Sequence, residues 1–224
     1  MDNLRGLKLP GEGDSQVLSG VDIYGLTDEK YSLGRSNIEV VGLLVDAGIK
    51  VIQYREKDKP MREKFAECMA IRELTLAAGV TFIVNDHVDL AMLVGADGVH
   101  LGQDDLPVEQ VRSLTGGKLL IGLSTHSPEQ GQEAVKAGAD YIGVGPIFAT
   151  QTKKDVCAPV GLAYLDYVVK NIDLPFVAIG GIKERHIPLL REHGAKCIAM
   201  VTELVGAHDI KQKINKIRQL TIEK

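Results

Sequence analysis

The sequence predicts an α/β fold: a single (β/α)8 TIM barrel of eight parallel strands and their helices, with the active site at the C-terminal ends of the strands. The first observation behind it is a repeated unit. Gly48-Ile49-Lys50-Val51-Ile52, Gly95-Ala96-Asp97-Gly98-Val99, Gly138-Ala139-Asp140-Tyr141-Ile142 and Gly194-Ala195-Lys196-Cys197-Ile198 each join an amphipathic stretch to a short apolar run. Glycine suits the left-handed position that ends a helix, and the β-branched residues after it suit a buried strand. The second observation is the count. Gly79-Val80-Thr81-Phe82-Ile83 is a looser copy, and the apolar runs Val21 to Leu26, Leu119 to Leu123 and Phe176 to Ile179 bring the strands to eight. The third is continuity: no linker or composition break divides the 224 residues, and an α/β barrel commonly uses about 250 as one unit. A doubly wound open sheet is the alternative fold.

In chain order the strands fall near 21-27, 49-55, 80-85, 97-101, 119-123, 140-145, 175-179 and 196-201. Helical patterns fill the gaps near 36-47, 61-78, 86-94, 107-115, 127-137, 161-171, 183-193 and 206-220, several opened by a capping residue such as Ser36, Asp86 or Ser127. Short apolar strands separated by helices imply right-handed crossovers and a parallel sheet covered on its outer face. Residues 1-20 read as an N-terminal extension and 21-224 as the barrel domain. The extension carries Arg5, Lys8, Glu12 and Asp14 without a continuous apolar stretch, which fits neither a signal peptide nor a membrane span.

The charge balance narrows the partners. Lys+Arg 26 against Asp+Glu 30 gives a net charge of −4, which argues against strong nucleic-acid binding and leaves room for a local basic cluster around a small phosphorylated ligand. Small-molecule partners are expected, with no nucleic acid and no membrane, and a homo-oligomer is left open. Cys68, Cys157 and Cys197 are odd in number and lack metal-ligand spacing, as in a reduced, cytoplasmic protein.

In a parallel barrel the loops after the strands converge on one mouth. Gln53 to Lys57 follow strand 2, Asn85-Asp86-His87 strand 3, Gly102 to Asp105 strand 4, Ser124-Thr125-His126 strand 5, and Gly145 to Asp155 strand 6. Gly180-Gly181 follow strand 7 and Val201-Thr202 strand 8. The cations Arg55, Lys57, Lys153 and Lys154 thus share a rim with Asp86, Asp104 and Asp105. Carboxylates beside basic side chains suit a hard cation and the phosphate oxygens it binds, so the pattern suggests a Mg-bound diphosphate with Asp86 and Asp105 as metal ligands. The plainer alternative, surface ion pairs, explains any one of these residues but not their concentration at one rim. The Gly180-Gly181 pair, with Val201-Thr202, suits a backbone phosphate cradle. His87, His126 and Cys157 lack the partners that would activate them, and Glu56 reads as a salt-bridge partner to Arg55 or Lys57.

Together Tyr24-Gly25-Leu26-Thr27-Asp28, Gln53-Tyr54-Arg55-Glu56-Lys57, Asn85-Asp86, His100-Leu101-Gly102-Gln103-Asp104-Asp105, Gly122-Leu123-Ser124, Gly145 to Asp155 and Ala178-Ile179-Gly180-Gly181-Ile182 carry a resemblance. Over residues 21 to 205 the chain resembles the thiamine-phosphate synthase (thiamine-phosphate pyrophosphorylase) family. That family joins hydroxymethylpyrimidine diphosphate to thiazole phosphate, releasing diphosphate and forming thiamine phosphate. The resemblance implies that Gln53, Arg55, Lys57, Asn85 and Lys153 face the pyrimidine diphosphate, Asp86 and Asp105 Mg²⁺, and Ser124 the pyrimidine. Thr150, Thr152, Gly180 or Gly181, and the Val201-Thr202 backbone would hold the thiazole phosphate. Arg55, Lys57, Ser124 and Lys153 are the expected catalytic residues, acting by charge stabilisation with no strong general base. Ala149 stands where the family usually has Pro, and Thr202 where Ser is usual. Two rival readings are a thiazole tautomerase on the same barrel, using His126 as acid and base, and a non-catalytic phosphate-ligand sensor.

Overall fold

The computed structural model describes residues 17–152 and 157–220. Its eight strands, all parallel, hydrogen-bond in sequence order and close on themselves, with β8 paired to β1. An open doubly wound sheet is excluded. The strands are β1 (Ile23–Leu26), β2 (Val51–Tyr54), β3 (Thr81–Asn85), β4 (Gly98–Leu101), β5 (Leu120–Thr125), β6 (Tyr141–Val144), β7 (Phe176–Ile179) and β8 (Ile198–Ala199). Between them run α1 (Asn37–Asp46), α2 (Met61–Ala78), α3 (Val88–Leu93), α4 (Val108–Thr115), α5 (Pro128–Ala137), α6 (Gly161–Asn171) and α7 (Ile187–Glu192), followed by α8 (Val201–Val205) and α9 (Ile210–Gln219).

The expected glycine joints are present. Gly48, Gly79, Gly95, Gly138 and Gly194 all have positive φ, between 63° and 82°, the conformation that lets the chain leave a helix without a Cβ penalty. Ser36 begins α1 with a capping box shared with Glu39, and the Ser127 hydroxyl accepts from the Gln130 N–H at the start of α5. The aspartates in two of the repeated joints have a further task. Asp97 accepts from the Phe82 N–H at 2.8 Å and pairs with both terminal nitrogens of Arg72 at 2.9 and 3.0 Å. Asp140 accepts from the Ile121 N–H at 2.6 Å and from Arg112 at 2.7 Å. At the seam, Asp22 receives Arg218 of α9 at 2.6 Å, while Arg218 also donates to the Ala47 and Gly48 carbonyls at 2.8 and 3.1 Å. Three carboxylates therefore tie strand starts to their neighbours at the end of the barrel away from the mouth.

Burial divides into two shells, as a closed barrel requires. Between strands and helices lie Val40, Leu44, Ile52, Phe82, Val99, Ile121, Ile142, Leu165 and Ile214, all fully buried. Inside the barrel lie Tyr24, Leu26, Val51, Ile83, Tyr141, Val177, Cys197 and Ala199, with Leu18 and Val21 packed among them. Leu18 falls within the segment read as an extension, in a turn over Val17 to Gly20, and seats an apolar side chain in the interior cluster.

Strand 8 is the main correction to the predicted elements. Its pairing covers only Ile198 and Ala199, and beyond Met200 the chain turns helical, placing Val201 and Thr202 in the first turn of the unpredicted short helix α8. The apolar run 196-201 cannot reveal this turn, because Val201 packs as well on a helix as on a strand. Among the described residues no helix is long and apolar enough to cross a membrane.

Candidate active site

The strand ends open into one cavity of about 1060 Å³. Every predicted site residue among the described residues lines it: Gln53, Arg55, Lys57, Asn85, Asp86, Asp105, Ser124, Thr150, Thr152, Gly180, Gly181, Val201 and Thr202. Lys153 lies outside the described residues, as do Lys154 and Asp155.

On the β2–β4 wall, opposite charges are already paired. Arg55 Nη1 lies 2.5 Å from Asp28 Oδ2, and Lys57 Nζ lies 2.5 Å from Asp86 Oδ2. Glu56 pairs with neither cation, contrary to the expectation; it accepts from Asn37 Nδ2 and from the Asp58 N–H, both at 3.2 Å. Alternation along the loop explains this, since residues flanking Arg55 and Lys57 point away from the mouth they face. Asp86 sits just past β3 in the left-handed region, φ 63°, with its N–H donating to the His100 carbonyl at 2.9 Å. Asp tolerates that conformation better than most residues, at a cost that marks the position as constrained. Asp105 Oδ2 accepts from the Gly102 N–H at 2.6 Å. Burial raises the Asp105 pKa, the neighbouring Asp86 carboxylate raises it further, and the Gly102 N–H and Lys57 oppose both. Two neighbouring carboxylates with one paired cation, Lys57 on Asp86, form an under-neutralised pair.

The β6–β8 wall is built from backbone. Ile147 and Phe148 donate their N–H groups to the Ile179 and Gly180 carbonyls, both at 2.9 Å, so the loop after β6 is stitched to the end of β7. That approach needs glycine. A Cβ on Gly180, φ +97°, would lie 2.4 Å from Pro146 Cα, and one on Gly181, φ +64°, would lie 2.4 Å from the Ala149 carbonyl oxygen. The Thr150 and Thr152 hydroxyls are 3.2 Å apart at the loop's edge. Val201 and Thr202 contribute the first N–H groups of α8, which have no partner within a helix. Lys183, not singled out in the sequence, also lines this wall and pairs with Glu203 at 3.2 Å.

The floor holds residues that sequence reasoning missed. His100 Nε2 is 3.0 Å from Ser124 Oγ, His100 Nδ1 is 3.1 Å from Tyr141 Oη, Tyr141 Oη is 2.7 Å from Tyr24 Oη, and Gln53 Nε2 donates to Tyr24 Oη at 3.1 Å. Burial pushes the His100 pKa down to about 4 and raises both tyrosines. The available signal was parity: Tyr24, His100 and Tyr141 alternate with Leu26, Gly98 and Gly143 on β1, β4 and β6, which places polar rings on the inward face of the barrel. His126 lines the cavity with Nδ1 2.5 Å from the Gly145 carbonyl. His87 precedes α3, its Nε2 3.4 Å from Lys64 Nζ, and is not among the lining residues. Cys68 and Cys197 are buried, which pushes each thiol up to about 12, while Cys157 is exposed; all three are free.

Comparison with known proteins agrees with this geometry. The family model described as thiamine monophosphate synthase matches residues 23–204. A thiamine-phosphate synthase of Pelotomaculum thermopropionicum is 68% identical over 92% of this chain and 96% of its own. Its counterpart in Lawsonia intracellularis is 57% identical over 88% and 91%. Among solved structures, a thiamine phosphate pyrophosphorylase from Pyrococcus furiosus superposes with a TM-score of 0.81 at 34% identity, covering 89% of this chain and 95% of that one. A 3-hexulose-6-phosphate synthase, 16% identical with a TM-score of 0.62, shares the fold alone. On the match across both the barrel and its rim, the chain belongs to the thiamine monophosphate synthase family.

Proposed function

We propose that this protein is a thiamine-phosphate synthase of the cytoplasm, joining hydroxymethylpyrimidine diphosphate to thiazole phosphate and releasing diphosphate. The observation that supports the reading is the division of one cavity into two walls of different chemistry, a carboxylate and cation wall on β2–β4 and a glycine-backbone wall on β6–β8, each suited to an anion or its counter-ion.

The residues present fit Mg²⁺. Asp86 and Asp105 supply hard oxygen donors in contact with each other, and the pKa of Asp105 is raised partly by the charge beside it, an arrangement that a shared cation relieves. Those two would hold the ion, with water and diphosphate oxygens filling the remaining positions; when bound, it would neutralise charge gathering on the leaving diphosphate. Arg55 and Lys57 would exchange Asp28 and Asp86 for diphosphate oxygens, and Lys153 would add a third cation from the loop after β6. Gln53, Asn85 and Ser124 would orient the pyrimidine. Gly180, Gly181, Thr150, Thr152 and the N–H groups of Val201 and Thr202 would hold the thiazole phosphate. The C–O bond breaks with its electron pair leaving on diphosphate, and the thiazole nitrogen then forms the C–N bond with its lone pair. No side chain must remove a proton in this sequence.

Purified protein with Mg²⁺ and both substrates is expected to yield thiamine phosphate and diphosphate in equal amounts. Isomerisation of the thiazole phosphate alone would support a tautomerase, and binding without turnover a sensor. Charge stabilisation over proton transfer also predicts a contrast among variants. Lys57→Ala and Lys153→Ala should each lose roughly 30- to 1000-fold in coupling rate, about 2 to 4 kcal/mol, with Lys57→Ala chiefly weakening use of the pyrimidine diphosphate. His126→Asn should stay within about tenfold, whereas loss of a true general base costs about 100-fold or more. An inactive His126→Asn beside a near-normal Lys153→Ala would reverse the assignment in favour of the tautomerase.

A further inference from the structure

We propose that a one-way hydrogen-bond chain through the barrel interior, from Gln53 through Tyr24, Tyr141 and His100 to Ser124, fixes the His100 proton on Nε2 and so presents Ser124 to the ligand as a hydrogen-bond donor. His100 is then a positioning residue, acting on the pyrimidine diphosphate only through Ser124; this deepens the synthase reading and rests on it.

The direction follows from counting protons. The Gln53 amide nitrogen can only donate, and it donates to Tyr24 Oη at 3.1 Å. Tyr24 is 2% exposed, so its own proton needs a partner, and Tyr141 Oη at 2.7 Å supplies it. Tyr141, fully buried, then directs its proton to His100 Nδ1 at 3.1 Å. With Nδ1 accepting, the imidazole proton resides on Nε2 and is donated to Ser124 Oγ at 3.0 Å. The Ser124 hydroxyl proton is left over for a ligand acceptor. In the opposite sense Tyr24 would receive two donors and its own buried proton would lack an acceptor, a cost comparable to an unmade hydrogen bond. Neither ring nitrogen of His100 touches a carboxylate, so its hydroxyl partners require one donor and one acceptor.

The barrel is shaped around this pair of rings. His100, Gly122 and Tyr141 stand at matched register on three adjacent strands. A Cβ on Gly122 would lie 2.2 Å from Tyr141 Cζ and 2.4 Å from His100 Nδ1, and one on Gly143 would lie 3.3 Å from His100 Cε1. The two rings thus meet across Gly122, a strand position without a side chain, where the imidazole reaches both Tyr141 and Ser124.

The test reads the tautomer directly, on the full chain without ligand. In a long-range proton–nitrogen correlation spectrum at neutral pH, with His100 assigned by triple resonance and checked with His100→Gln, Nδ1 is expected at the unprotonated position and Nε2 at the protonated one. A protonated Nδ1 with a bare Nε2, two protonated nitrogens, or an averaged pair would each overturn the proposal, whatever the protein catalyses. Kinetics then test the positioning role. Tyr141→Phe should move the His100 nitrogens toward an averaged pattern and raise the KM for the pyrimidine diphosphate about fivefold to tenfold, with kcat and the thiazole phosphate KM within about twofold. His100→Gln keeps a donor toward Ser124 and an acceptor toward Tyr141 and should hold that KM within about threefold, while His100→Leu should raise it about tenfold. Equal behaviour of the Gln and Leu variants would overturn the role of polarity. Absence of thiamine phosphate from the wild-type assay would instead count against the synthase reading, leaving the tautomer result to decide the chain's direction.

Discussion

Asp86→Asn and Asp105→Asn are each expected to lose about 100- to 1000-fold of the coupling rate at saturating substrates, the scale set by removing one preorganised electrostatic group from a site where charge develops. Asparagine is the informative replacement. It keeps the shape, and at Asp86 it tolerates the left-handed backbone, φ 63°, where alanine would add strain unrelated to metal. The fold should survive, because both residues lie at the rim and Asp105 is destabilised by burial and by the neighbouring Asp86 charge. Thermal midpoints without Mg²⁺ should therefore be unchanged or slightly higher than in the wild type, and the rise produced by Mg²⁺ plus diphosphate should shrink in both variants. Full activity of both variants in the presence of a chelator would sink the metal assignment.

Gly181→Ala should damage the other half of the site. Its φ of +64° costs an alanine about 1 kcal/mol, and the new methyl meets two main-chain oxygens, Ala149 at 2.4 Å and Phe148 at 2.6 Å. Backbone cannot rotate aside as a side chain can, so the loop after β6 must move. A displacement near 1 Å at a binding site costs on the order of 100-fold. The KM for the thiazole phosphate is expected to rise about that much, with the KM for the pyrimidine diphosphate within about threefold. Steady-state kinetics varying each substrate in turn will show it, and equal damage to both would remove the division between the two walls.

Much of this architecture is legible in the order of the residues. The glycine joints at Gly48, Gly95, Gly138 and Gly194 reveal the alternation, because a left-handed residue followed by a β-branched run has few other uses. The rim residues can be collected on one face because a parallel barrel sends every strand's C-terminal end the same way. What stays hidden depends on distances across strands. Glu56 beside two cations invites an ion pair, yet local geometry sends those cations to Asp28 and Asp86. The early end of strand 8 stays hidden because a valine in an apolar run fits a strand or a helix equally. The chain from Gln53 to Ser124 joins residues on five strands, and only the closed register brings Tyr24 within 2.7 Å of Tyr141, 117 positions away.

The ion pair from Arg218 to Asp22 bears on how the enzyme is made. The seam between β1 and β8 has only two matched positions on each strand, and its lock is an arginine in the last helix, 196 residues from its partner. A contact of that sequence separation forms late, after more local pairings have reduced the loop to be closed. During synthesis a ribosome holding the final helix in its tunnel would carry a half-finished sheet with unpaired edges, an association-prone species. Thr202, beside the seam on the mouth side, would be out of place until then. Closure of the barrel and completion of the proposed thiazole phosphate wall would thus both wait for α9, so products truncated before Arg218 should neither bind nor turn over substrate.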